Sequence, residues 1–179
     1  LLAVVTGHPI PLLPVQLLWL NLVTDGIQSV ALAFEPGEGD SLKHPPRPPS
    51  EPIFNRLMLE RMVLSVLTVG IGGFTLFSFA LNNGWSVEQA RNLLLLVMVL
   101  FENLHVGNCR SETKSAFALS PLRSPLLFYG TIAAFSIHLL AMYVPFLQNI
   151  LGTEPISLTS WMDAIGVAFF TIPMMELHK

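Results

Sequence analysis

Long apolar runs separated by short polar stretches dominate the chain. Five of these runs approach the ~20 residues that an α-helix needs to cross the hydrocarbon core of a bilayer. They cover roughly residues 12–34, 62–81, 93–109, 126–147 and 158–177, and the opening Leu1–Val5 reads as the end of a sixth. Between them lie a long connector (Glu35–Arg61), a short Asn82–Asn92 turn, a middle loop (Arg110–Pro125) and a short Gln148–Ser157 turn, none of which could hold a soluble domain. The pattern predicts an all-α, polytopic transmembrane bundle. In the first span the prolines near Gly7-His8-Pro9-Ile10-Pro11 suit the entry into a helix.

Composition agrees: 52% of the 179 residues are hydrophobic, 12% are charged and the mean hydropathy is +0.61. A soluble domain carries about 25% charged residues. The net charge of −3 excludes a nucleic-acid binder, which would need a basic face for phosphate. A single cysteine, Cys109, excludes a disulfide framework and thiolate-rich zinc sites. The chain opens on Leu1 within an apolar phrase that lacks the basic flank of a signal peptide, as expected of a fragment.

Charge also orients the chain. Of the nine basic residues all but Arg91 fall on one side: Lys43, Arg47, Arg56 and Arg61 in the connector, Arg110, Lys114 and Arg123 in the middle loop, and Lys179 at the end. The positive-inside rule then places the 35–61 and 110–125 loops and the C-terminus in the cytoplasm. Within the connector, Lys43-His44-Pro45-Pro46-Arg47-Pro48-Pro49-Ser50-Glu51-Pro52 reads as an extended, polyproline-like segment. In the second span Gly70, Gly72 and Gly73 suit close helix packing.

Polar residues inside the spans are the candidates for chemistry. At about 100° per residue, Asn21, Thr24, Asp25 and Gln28 share one helical face, and Gln16 does not. An aspartate at mid-membrane depth costs roughly 2.5–3.5 kcal/mol, so Asp25 should face protein, water or an ion. Gly26 weakens the helix directly after it and could free backbone carbonyls for a ligand. In the third span Glu102, His105 and Cys109 form one stripe, with Asn103 and Asn108 pointing away from it. Carboxylate, amide and hydroxyl oxygens suit a hard cation. The competing reading is a hydrogen-bonded network that joins helices. His138 on the fourth span suits a hydrogen bond to a neighbour, and Asp163 and Glu176 suit solvated or interfacial positions.

The phrase Pro14-Val15-Gln16-Leu17-Leu18-Trp19-Leu20-Asn21-Leu22-Val23-Thr24-Asp25-Gly26 closely resembles the sixth transmembrane helix of P-type cation pumps of the calcium-ATPase and sodium-pump branch. Pro45-Pro46-Arg47-Pro48 and Glu51-Pro52-Ile53-Phe54 look like that family's loop after helix six, and Asn108-Cys109-Arg110-Ser111-Glu112 like the end of its helix eight. The resemblance covers essentially the whole chain and implies the end of helix five through helix ten. It implies that Asn21, Thr24, Asp25 and Glu102 are metal ligands for a transported cation, with Ca2+ the first choice and Na+, K+ or H+ the alternatives. Gln28 and His105 would be outer partners of that site, with His105 a hydrogen-bonding partner or pH sensor. His105 departs from the family pattern, in which sodium pumps carry an acid and calcium pumps an amide.

The Asp-Lys-Thr-Gly-Thr phosphorylation motif, the Thr-Gly-Glu motif and the Pro-Glu-Gly segment of helix four are not in this sequence. Mg2+ and ATP would therefore belong to cytoplasmic domains outside it, and the chain alone is expected to be inactive. Its partners would be the lipid bilayer and the remaining helices and cytoplasmic domains of the same pump. Two rivals remain: a secondary transporter or channel whose Asp25 and Glu102 relay protons without ATP, and a noncatalytic membrane scaffold.

Overall fold

The apolar runs do become helices. The computed structural model describes residues 2–37, 48, 54, 56–111, 115 and 118–176, and all regular structure among them is helical. The Pro45–Pro49 segment apart from Pro48, the basic residues Lys43, Arg47, Lys114 and Lys179, and the Glu176 side chain lie outside the described residues.

Helix α1 (Leu2–Val5) ends in a reversal at Gly7, whose φ of 72° favours glycine. The first predicted span follows as three joined pieces: α2 (Pro14–Trp19), a π-helix (Leu20–Asp25) and α3 (Gly26–Leu32). Pro14 occupies the first helical position, where its missing N–H costs nothing. The second span is α4 (Arg56–Asn82) and the third is α5 (Val87–Cys109). Both start before the predicted Met62 and Leu93, because apolarity marks the lipid-facing part of a helix and caps mark its end. At α5 the Ser86 hydroxyl accepts from the Gln89 N–H (3.1 Å) and the Gln89 side chain accepts from the Ser86 N–H (3.4 Å), a reciprocal cap.

The fourth span, expected over 126–147, is corrected. Helix α6 (Pro125–Tyr143) stops at Tyr143, Val144 is extended, and a separate helix α7 (Pro145–Leu151) follows. Pro145 forces the break: its ring holds the preceding residue out of helical geometry. The first four residues of the expected Gln148–Ser157 turn are thus helical, closed by Gly152 at φ 61°. Helix α8 (Leu158–Glu176) lies over the last apolar run. By length and composition α4, α5 and α6 can each cross a membrane, and the apolar part of α8 over Leu158–Phe170 is shorter.

Helix α5 is the centre of the bundle, packed against α4 and α8, which also pack on each other, and against the π-helix and α6, which likewise meet. Phe77, Leu93, Leu96, Val97, Met142 and Ala164 form the main buried cluster, and Leu20, Leu95 and Val99 a second. Gly72 and Gly73 allow α4 to approach: a Cβ at either would lie 2.8 Å from Val167 Cγ1 or Leu94 Cδ1. Gly70 differs, since nothing lies within 4 Å of a Cβ there.

The surface is apolar and the interior partly polar. Leu59, Met62, Val63, Val66, Leu67 and Ile71 are exposed along α4, whereas Gln16, Thr24, Asn92 and His138 are wholly buried. A water-facing protein would not leave such a stripe open, but hydrocarbon favours it.

Hydrogen bonds sort the loops to two ends. At one end Arg91 Nε donates to the Ile10 carbonyl (3.1 Å), Asn92 Nδ2 to the Glu154 carbonyl (2.7 Å) and Gln16 Nε2 to the Leu151 carbonyl (2.9 Å). At the other, Arg110 and Arg123 gather around Glu35.

Candidate functional site

Helical winding changes where the candidate oxygens lie. From Leu20 to Asp25 the backbone takes the wider π form, and the Gly26 N–H donates to the Asn21 carbonyl, five residues back. Gly26 fits this turn closely, since a Cβ on it would lie 3.0 Å from that same carbonyl oxygen. The Asn21 carbonyl is thereby occupied, so Gly26 widens the helix and does not free this carbonyl. Single π turns recur at functional sites in helices.

Winding also divides the polar face in two. Thr24 and Gln28 are buried against α5, whereas Asn21 and Asp25 are exposed at the surface of the chain. The Thr24 hydroxyl lies between two acceptors, the Leu20 carbonyl at 2.7 Å and Glu102 Oε2. With one proton it can donate to only one of them at a time. Asp25 stands within electrostatic reach of Glu102. Thr24 and Glu102 therefore meet across the two helices, and Asn21 shares the exposed side with Asp25.

One turn further along, Gln28 Nε2 donates to Asn103 Oδ1 (2.9 Å), and Asn103 Nδ2 donates to the Val99 carbonyl (2.7 Å). Asn103 was expected to point away. It meets Gln28 on the same segment whose Thr24 meets Glu102, so the face of α5 that carries contacts is wider than a single stripe. The His105 ring stacks on Phe101, centroids 5.1 Å apart and planes 12° from parallel. Cys109 is exposed.

Helix α6 braces the same segment from behind. Trp19, the residue before the π-helix, donates from Nε1 to Nδ1 of the fully buried His138 (3.3 Å), which agrees with a hydrogen-bonding role for that histidine. After the π-helix, Gly130 admits Ile27 and Ala31: a Cβ on it would touch them at 3.4 and 3.6 Å. Only the Thr24-Asp25-Gly26 sequence hinted at the altered winding, and nothing in composition marked Trp19 or Asn103.

Among the described residues, no group of three or more His, Cys, Asp and Glu side chains could hold a metal ion. Any cation bound here would rest on mixed oxygen donors, two carboxylates with amide and hydroxyl oxygens. That donor set suits a hard cation. The fold and site together define an integral membrane helical bundle with an oxygen-lined polar seam between two of its helices.

Residues 9–179 match the family model described as "Cation transporting ATPase, C-terminus". The chain belongs to this family. It is 34% identical over 94% of its length to a calcium-transporting ATPase of Bacillus subtilis, and 32% identical over 99% of its length to calcium-transporting ATPase type 2C member 2 of mouse. A probable cation-transporting ATPase F of Mycobacterium bovis is 30% identical over 94% of the chain. In each case the chain spans 19% of the relative's length.

Proposed function

We propose that this chain is the C-terminal membrane part of an ATP-driven cation pump, with Ca2+ the transported ion, and that Asn21, Thr24, Asp25 and Glu102 supply oxygen ligands to it. The observation that carries the reading is the Thr24–Glu102 contact across two helices, made from the π-helical segment that also holds Asn21 and Asp25. Calcium accepts six to eight oxygen ligands in flexible geometry. A bound cation would take lone pairs from Thr24 and Glu102 together, leaving the Thr24 hydroxyl proton to the Leu20 carbonyl. Asn21 and Asp25, exposed in this chain, would face helices of the same pump that lie outside it.

Five spans with the connector, the middle loop and the C-terminus in the cytoplasm fit the sorting of loops to two ends. ATP and Mg2+ would act in cytoplasmic domains elsewhere in the pump, and this chain alone would not hydrolyse ATP. His105 would tune the Glu102 side of the site from its stacked position on Phe101. The names of the Bacillus and mouse relatives favour Ca2+ over Na+, K+ or H+.

The test is Asp25→Asn in the full-length pump, which keeps size and one oxygen and removes the charge. Cation-dependent phosphorylation by ATP should be lost while the protein remains folded. Parental cation affinity in that variant would take Asp25 out of the site and leave the polar face as a helix-joining network.

A further inference from the structure

Glu35 follows the last turn of the helix that carries Thr24, and Arg110 follows α5, the helix that carries Glu102. Their side chains are 8% and 6% exposed, and Arg110 donates to Glu35 Oε1 from both Nε (3.1 Å) and Nη2 (2.9 Å). Arg110 Nη2 also donates to the Ser120 carbonyl (3.0 Å). Arg123, in the 3₁₀ turn Pro121–Arg123 that leads into α6, donates from Nη2 to the Pro36 and Gly37 carbonyls, both at 2.8 Å. Its Nε lies 3.8 Å from the same Glu35 oxygen. One carboxylate oxygen thus joins the ends of two helices to the entry of a third.

We propose that Glu35, Arg110 and Arg123 form a latch that positions the Thr24 and Glu102 helices relative to each other and so sets cation affinity. This rests on the cation-site reading given above. Helical chain joins each ligand to the latch: α3 runs from just after Thr24 to Leu32, three residues before Glu35, and α5 carries Glu102 to Cys109, the residue before Arg110, roughly 12 Å at 1.5 Å per residue. Rotation of either end would therefore swing one ligand away from the other. A surface pair such as Arg56–Glu60, with side chains 93% and 41% exposed, could exchange its partner for water. The latch lacks that freedom, because a charge withdrawn from its partner in a buried setting has no water to replace it. Arg123 extends the latch outward. By holding two successive carbonyls after α3 it fixes the direction in which the connector leaves, so a pull on the connector reaches Glu35 and then the site helix. The latch residues touch no transported ion and act through position alone.

The experiment uses the purified full-length pump. Half-saturating Ca2+ for ATP-dependent phosphorylation and turnover at saturating Ca2+ are measured for the parent, Glu35→Gln, Arg110→Gln, the double variant and Asp25→Asn. Each single latch variant should raise half-saturating Ca2+ by about five- to tenfold, with saturating turnover within about twofold of the parent, as coupled neighbours allow. The double variant should be no worse than the weaker single, because both break one linkage. It leaves neither Glu35 nor Arg110 as a buried charge without its partner, so it decides the matter if a single variant fails to fold. Parental Ca2+ dependence in the double variant, or single effects that multiply in it, would overturn the latch. Loss of phosphorylation in Asp25→Asn beside a parental double variant would sink the latch alone, whereas parental behaviour of Asp25→Asn would sink the site and the latch with it.

Discussion

Thr24 concentrates the chemistry of the site on one atom. Its Oγ1 lies within reach of the Leu20 carbonyl and Glu102 and donates to one of them at a time, while its neighbour in the polar face, Gln28, spends its amide on Asn103. These two residues look alike on a helical wheel, yet their removal should differ. Thr24→Val keeps the shape and deletes the hydroxyl. A buried acceptor left without a donor costs about 1–3 kcal/mol, so cation activation of the full pump should weaken by ~5- to 150-fold. Gln28→Leu breaks a bond that involves no carboxylate and should shift half-saturation by less than about threefold. Titration of cation-dependent phosphorylation in both variants checks this, and equal shifts would assign the whole face to helix joining.

Between helices, glycines set how closely backbones approach. Along α4 three glycines lie within four positions, and their environments differ. A Cβ at Gly72 would press on Val167 Cγ1 at 2.8 Å, and valine is stiff about χ1, so α4 and α8 would have to separate. Gly72→Ala should therefore destabilise the protein by about 1–3 kcal/mol, the usual cost of overpacking. Gly70→Ala meets open space and gains up to about 1 kcal/mol of helix propensity. Thermal unfolding of both variants in detergent should move in opposite directions. A fall of the same size in both would mean that the Gly72 contact contributes nothing. The π-helix depends on a similar contact within one segment, since Gly26 leaves room for the Asn21 carbonyl that accepts its own N–H.

Across the whole bundle, the links at one end involve Gln16, Arg91, Asn92 and Glu154, and those at the other Glu35, Arg110 and Arg123. Helices α4, α5 and α6 are long enough to cross a bilayer between these ends. In the topology proposed from the positive-inside rule, the second end is the cytoplasmic one. A reporter at Ser115 should therefore read cytoplasm and one at Gly84, in the turn between α4 and α5, should read the opposite compartment. The same compartment at both positions would rule out α5 as a full crossing.

The helices themselves were legible in sequence because backbone hydrogen bonds in lipid close within each segment, which makes a spanning helix a local matter of apolar length. Asn21, Thr24, Asp25 and Glu102 stood out for the same reason, since polar groups at that depth need a partner. The break before Pro145 was also written locally, but run length passes over a single residue that cannot continue a helix. What each polar group would meet was decided by tertiary structure alone. Wheel geometry assumes α winding, and the π turn from Leu20 to Asp25 separates Thr24 and Gln28 from Asn21 and Asp25. Asn103 found Gln28, and Arg110 found Glu35, across 75 residues of sequence in each case. Such contacts depend on how α5 is flanked by the other helices, and helix-by-helix periodicity contains no information about the distance or rotation between two helices.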